Sequence, residues 1–233
     1  TFDHAAIYGD YTTETDFGKG LKSSGNQQEK IQLISKCGMI KPAPNSTQVK
    51  QYESSKESMI RSVDASLKNL QTDYLDALLI HRPNPLMQAD EVAEAVTQLK
   101  KEGKILDFGV SNFTSSQTEL LRSKVEVSYN QIQFSATNFD AMVDGSLDYM
   151  QVHGIQPMAW NLKKLLARLV EKYEVGSDMI LLAWILKHPA NIIPLAGTVN
   201  VGRLQNIHKA TEMVLEQEDW FAIWSESMGH RIA

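Results

Sequence analysis

Apolar residues follow two alternating rhythms along this chain. Short, nearly continuous apolar runs ending in polar residues occupy Thr1 to Asp3, Ile31 to Lys36, Tyr74 to Ile80, Ile105 to Val110, Val125 to Phe134, Ile155 to Trp160 and Ile192 to Leu195. Between them lie longer stretches with apolar positions three and four apart: Thr13 to Ser23, Thr47 to Leu70, Ala89 to Glu102, Thr114 to Ser123, Asp140 to His153, Lys164 to Tyr173 and Asp178 to Lys187. Val201 to Val214 and Glu216 to Met228 complete the series. The first rhythm is that of strands covered on both faces, the second that of amphipathic helices. Thr13 is a candidate N-cap with Leu21 facing inward, and Met59, Ile60, Val63, Leu67 and Leu70 form a packing stripe. Val92, Val96 and Leu99 share a helix face that ends at Gly103, a C′-like position. Strand and helix in strict alternation predict a parallel sheet with right-handed crossovers. No Gly-x-Gly-x-x-Gly follows a strand, which argues against a Rossmann domain. The pattern favours a (β/α)8 TIM barrel in one domain over residues 1–233, with its active site at the C-terminal ends of the strands. Seven strands are visible where such a barrel has eight.

The strand ends carry candidate chemistry. Asp3 closes the first run, and Tyr8 follows five residues later, before a glycine able to turn the backbone sharply. A phenol, titrating near ~10 in water, protonates a carbonyl oxygen at neutral pH only where a neighbouring cation stabilises its ionised form. Lys36 ends the second run and supplies that cation; Asp3 would hold it, since a lone buried charge is expensive. His81 follows the third run and would orient a carbonyl by hydrogen bonding. In a parallel barrel Asp3, Tyr8, Lys36 and His81 meet at one rim. Plainer readings stand beside these: a half-buried turn tyrosine, a structural salt bridge, a strand-end histidine. Lys36 would also suit a Schiff-base lyase, which leaves Tyr8 without a role. The other histidines, His4, His153, His188, His208 and His230, show no metal-ligand spacing.

This constellation resembles the catalytic tetrad of the aldo-keto reductase superfamily, in which Asp-x4-Tyr-Gly precedes a lysine closing the next strand and a histidine closing the one after. The resemblance continues through Gly109-Val110-Ser111-Asn112-Phe113, Tyr129-Asn130-Gln131-Ile132-Gln133 and Ile193-Pro194-Leu195-Ala196-Gly197-Thr198. The segment Leu79-Ile80-His81-Arg82-Pro83-Asn84-Pro85-Leu86-Met87 is most similar to the bacterial YdhF-type oxidoreductases. The resemblance implies NADPH-dependent reduction of aldehydes or ketones, with Tyr8 as proton donor and His81 on the substrate. It implies that Ser111, Asn112 and Gln131 hold the nicotinamide carboxamide and that Trp160 stacks on the ring, although plain core packing would also suit a tryptophan. Gly197, Thr198, Arg203 and Asn206 match the family's adenosine-phosphate segment, where a helix N-terminus and an arginine suit a phosphate. Arg203 favours NADPH over NADH, whereas Gly197 stands where many relatives have a lysine. Leu204 to Thr211 can also be read as an exposed helix face. A nucleotide-binding regulatory subunit on the same barrel is the alternative function, and the intact tetrad disfavours it.

Two departures from the family carry expectations of their own. Relatives have a strand and helix before the segment matching Thr1, so the barrel would lack its first β/α unit and expose two strand edges, as expected of a fragment. After Trp160 relatives continue with Ser-Pro-Leu and a loop over the cofactor pyrophosphate. Here Asn161-Leu162-Lys163 leads almost at once into a helix, as if the loop after strand 7 were omitted and the numbering closed up.

Composition narrows the partners. A net charge of −5 and a pI near 5.7 argue against bulk nucleic-acid binding, so any cationic site must be local. Cys37 is the single cysteine and excludes an internal disulfide, which suits a reducing cytosol and a buried structural thiol. The apolar run from Met179 to Leu186 falls far short of the ~20 residues of a membrane span. A small carbonyl compound is the expected partner of a cytoplasmic monomer or weak homo-oligomer that binds neither membrane nor nucleic acid.

Overall fold

Each of the seven apolar runs contains a strand. The computed structural model describes residues 1–25, 28–42, 49–160 and 167–228, and the chain falls into two units, Thr1–Asn130 and Gln131–Ala233. In the first unit the order is β1 (Phe2–Asp3), α1 (Thr13–Ser24), β2 (Leu33–Cys37), β3 (Met39–Ile40), β4 (Gln51–Tyr52), α2 (Lys56–Leu70), β5 (Leu75–Ile80), α3 (Ala89–Lys101), β6 (Ile105–Ser111) and α4 (Ser115–Arg122). Strand β7 (Tyr129–Gln133) runs across the boundary.

Strands β1, β2, β5 and β6 are parallel neighbours in that order, and their register determines which side chains share a face. Asp3 lies opposite Ile34, Lys36 opposite Leu79, and Leu79 opposite Gly109. Because side chains alternate with period two, Asp3, Lys36, the position of His81 and Ser111 project to one face at the C-terminal ends of the strands. The opposite face carries Leu33, Cys37, Leu78, Ile80, Phe108 and Val110. These pack with Met59, Val63 and Leu70 of α2 and with Val92, Val96 and Leu99 of α3 into the core of the first unit. A Cβ on Gly109 would lie 2.7 Å from both Leu79 Cδ2 and the Tyr129 carbonyl oxygen, so only glycine fits that position.

Several boundaries differ from the sequence pattern, each for a local reason. Thr12, not Thr13, is the N-cap of α1, and Thr13 lies in the first turn. Helix α2 starts at Lys56 and not near Thr47, because Gln51–Tyr52 pairs antiparallel with Met39–Ile40. Helix α4 begins as expected, on a capping box in which Thr114 accepts from the Gln117 amide and the Gln117 side chain accepts from the Thr114 amide.

The second unit holds α5 (Ser146–His153), β8 (Gln156–Trp160), α6 (Ala167–Tyr173), α7 (Ser177–Leu186), β9 (Ile193–Pro194), α8 (Val201–Ile207) and α9 (Gln217–Met228). The expected helix from Asp140 is a 3-10 turn, Asp140–Met142, followed by α5, because Gly145 adopts φ +83° between them. The helix expected over Val201 to Val214 is likewise α8 followed by a 3-10 turn, His208–Thr211. Strands β8 and β9 pair in parallel, Met158 opposite Ile193. Helix α7 is buried from Met179 to Ile185, as its continuous apolar run requires. Trp184 and Trp220 stack at 4.9 Å, each donating its indole N–H to the other's carbonyl. The step from Trp160 to Asn161, where the sequence departs from the family, lies outside the described residues, as does Lys164 to Leu166 of the expected helix. Among the described residues no helix is long and apolar enough to cross a membrane.

Candidate active site

Lys36 is the centre of the site. Its side chain is fully buried, and its ammonium donates to Asp3 Oδ2 at 2.7 Å, to the His4 carbonyl at 2.8 Å and to the Tyr8 hydroxyl at 3.3 Å. Three acceptors for three ammonium protons satisfy a cation that would otherwise be very costly to bury. Strand β2 carries Lys36 into the interior, and Asp3 at the end of β1 reaches it because the two strands are adjacent and in register. Tyr8 comes from the turn between β1 and α1. That turn is held by backbone bonds from Tyr8 to Ala5, Thr12 to Gly9 and Thr13 to Tyr8, with Gly9 at φ +56°. Tyr8 as a residue is 37% exposed, so its hydroxyl is held by Lys36 while the residue still meets solvent.

His81 completes the group. Its backbone N–H donates to the Cys37 carbonyl at 2.9 Å, which places it next to the end of β2. Its ring meets the Tyr8 ring edge-on, 5.7 Å between centroids, and its buried Nδ1 has no hydrogen-bond partner among the described residues. Asp3, Tyr8, Lys36 and His81, expected from the sequence to meet, are brought together here within the first unit.

Burial, followed by the positive charges of Lys36, Arg82 and Lys50, pushes the His81 imidazole from 6.5 down to about 3. The ring is therefore neutral at physiological pH and presents one N–H donor. Between those two values the unfolded chain binds a proton that the folded chain refuses. This contribution to stability is thus complete above 6.5 and shrinks as the pH falls towards 3. His4 and His188 are lowered too, chiefly by burial, and act with the same sign. Denaturant unfolding at about pH 7 and about pH 5 checks the His81 part: the midpoint should fall further for the unaltered chain than for His81→Gln, and equal falls would refute it.

Buried Ser111 ends β6, and Asn112 follows in the left-handed region, φ +59°, its amide donating to Ser111 Oγ at 2.7 Å. In the second unit Gln131 is buried on β7, and Trp160 is partly buried at the end of β8. Thr198 is partly buried, and Gly197, Arg203 and Asn206 are exposed, the latter two on α8. The first turn of α8 is capped by Asn200, whose side chain accepts from the Arg203 amide at 3.0 Å. These hydroxyl, amide and guanidinium groups are of the kinds that hold a carboxamide or a phosphate.

Cys37 is fully buried and its thiol is pushed up to about 12 by burial, which keeps it protonated and inert. Three polar residues near the site were not legible as part of it. Asn130 donates to the Phe113 carbonyl at 3.0 Å and so braces the loop after Ser111-Asn112. Ser35 and Glu14, both buried, are joined by a hydrogen bond of 2.6 Å. The available signal was the inward helical spacing of Glu14, Phe17, Gly18 and Leu21, which sets an acid on an apolar face.

Residues 1–164 match the model of the Aldo/keto reductase family. The oxidoreductase YdhF of Escherichia coli K12 is 36% identical over 250 residues, covering 100% of this chain and 84% of that protein. Among solved structures, the thermostable aldo-keto reductase Tm1743, bound to the inhibitor epalrestat, superposes with a TM-score of 0.82 at 28% identity, covering 96% of this chain and 80% of that one. An aldo/keto reductase from Klebsiella pneumoniae, solved with NADP and acetate, has a TM-score of 0.80 at 24% identity, covering 95% and 77%. The fold is accordingly α/β, of the (β/α)8-barrel type.

Proposed function

The chain belongs to the aldo/keto reductase family of oxidoreductases, and we propose that within it the chain reduces aldehydes or ketones to alcohols with NADPH, Tyr8 donating the proton. One observation carries this reading: a buried ammonium held by a carboxylate and a carbonyl touches the hydroxyl of a tyrosine that is itself open to solvent. NADPH, when bound, supplies the hydride from nicotinamide C4. The neutral His81 ring donates its N–H to the carbonyl oxygen of the substrate and sets it within reach of the Tyr8 hydroxyl. As negative charge grows on that oxygen, Tyr8 passes its proton to it, and the adjacent Lys36 ammonium stabilises the phenolate left behind. Asp3 keeps the ammonium in place. By the family's pattern Ser111, Asn112 and Gln131 would hold the carboxamide and Trp160 would stack on the ring. Gly197, Thr198, Arg203 and Asn206 would receive the adenosine phosphates, Arg203 selecting NADPH.

The deciding experiment mixes the protein with NADPH and a panel of aldehydes, ketones and dicarbonyls and follows the loss of nicotinamide absorbance. Consumption of NADPH with at least one carbonyl class is the expected result. Binding of NADPH without consumption across the panel would favour the regulatory-subunit reading instead.

A further inference from the structure

The inward stripe of α1 begins with an acid. Phe17 and Leu21 of this helix pack against the core of the first unit, and Gly18 comes so close to α2 that a Cβ there would lie 2.3 Å from the Asn69 carbonyl oxygen. Glu14 lies on the same side and is only 2% exposed. Phe17 and Leu21 share its side of the helix, and the His4 ring, 4.4 Å from Phe17, has its proton affinity lowered by burial and partly restored by the Glu14 charge. A carboxylate in such a place costs free energy that leucine would not, unless its hydrogen bond serves a purpose. The acceptor is Glu14 Oε1 and the donor is Ser35 Oγ, at 2.6 Å, with Ser35 itself 1% exposed.

Where this bond sits on the chain is what matters. Ser35 immediately precedes Lys36 and faces the helices while Lys36 faces the interior. Glu14 lies in the first turn of α1, directly after the turn that carries Tyr8. The segment from Tyr8 to Glu14 is therefore tied to the pair Ser35-Lys36 twice, by Tyr8 to Lys36 on the inner side and Glu14 to Ser35 on the outer. The inner contact is 3.3 Å and part-buried; the outer one is 2.6 Å and buried. We infer that Glu14 and Ser35 are positioning residues, a buried hydrogen bond that holds the Tyr8 hydroxyl at working distance from the Lys36 ammonium. The inference rests on the reading of Tyr8 as proton donor and extends it to two residues that touch neither substrate nor cofactor.

The test is a double-mutant cycle on the whole chain, with NADPH and the carbonyl that turns over fastest. Ser35→Ala should lower kcat by roughly tenfold to a hundredfold, the cost of a small misplacement at the reacting atoms, with NADPH binding unchanged. In a Tyr8→Phe background the same change should remove nothing further, because no hydroxyl remains to be positioned. Glu14→Gln keeps an oxygen acceptor for Ser35 and should keep the kcat of the unaltered chain. If Ser35→Ala does not fold, Ser35→Val, which suits a strand and also lacks the donor, carries the same readouts. Unchanged kcat in a folded Ser35 variant would overturn the inference. So would an equal loss in the Tyr8→Phe background, which marks a merely structural role, or a loss in Glu14→Gln as large as in Ser35→Ala. Unchanged turnover in Tyr8→Phe alone would sink the reading of Tyr8, and this inference with it.

Discussion

Tyr8→Phe should lose roughly 10²- to 10⁴-fold in kcat for carbonyl reduction, the range typical of removing a positioned proton donor. It should bind NADPH as the unaltered chain does. The substitution deletes one oxygen and leaves the ring, which packs edge-on to His81 and lies 5.1 Å from the Lys36 ammonium. Folding should be little affected, because Lys36 keeps Asp3 and the His4 carbonyl as acceptors and the hydroxyl it loses was the longest of its three bonds. Single-turnover measurements separate the steps: the hydride step should slow while nucleotide binding, followed by quenching of protein fluorescence, stays the same. Carbonyl reduction at the unaltered rate would remove Tyr8 from the mechanism.

Asp3, Lys36 and His81 were legible because each stands at the end of an apolar run and parallel register brings those ends to one edge, and Tyr8 was legible from its place before Gly9, five residues after Asp3. Lys36 stood out as a long cation after Ile34 and Ser35 in a run that reads as buried, a placement that makes sense only with partners. Asn112 was legible by family resemblance alone; its left-handed backbone could not be read from the pattern. The hairpin of β3 and β4 was hidden because two residues per strand give no alternation to detect, and Gln51-Tyr52 merged into the helical pattern that follows. Glu14 was hidden for the opposite reason. An acid in the first turn of a helix is so ordinary, being favoured by the helix dipole, that its place on the face of Phe17, Gly18 and Leu21 is easily passed over until the packing of α1 is known.

Lys36→Met should abolish turnover more completely than any other single change at the site while costing less stability than Asp3→Asn. The two halves of the prediction have different origins. For catalysis, removing the ammonium takes away the charge that stabilises the developing phenolate; loss of one preorganised electrostatic contact of this kind costs about 10²- to 10³-fold. Loss of the fixed orientation of Tyr8 adds to that. For stability, breaking a buried ion pair costs about 3–5 kcal/mol because the remaining partner is left as an uncompensated charge. Which charge remains then decides the outcome. After Lys36→Met the remaining charge is Asp3, whose side chain is 20% exposed and can recruit water, and methionine refills most of the volume of the lysine stem. After Asp3→Asn the remaining charge is Lys36, at 0% exposure, with only a carbonyl and a phenol hydroxyl to face it at full strength. Chemical denaturation should therefore rank the unaltered chain above Lys36→Met and Lys36→Met above Asp3→Asn, whereas turnover should rank Asp3→Asn above Lys36→Met. A common order in the two measurements would mean that the pair acts only as a structural tie, and the ammonium would lose its place in the chemistry.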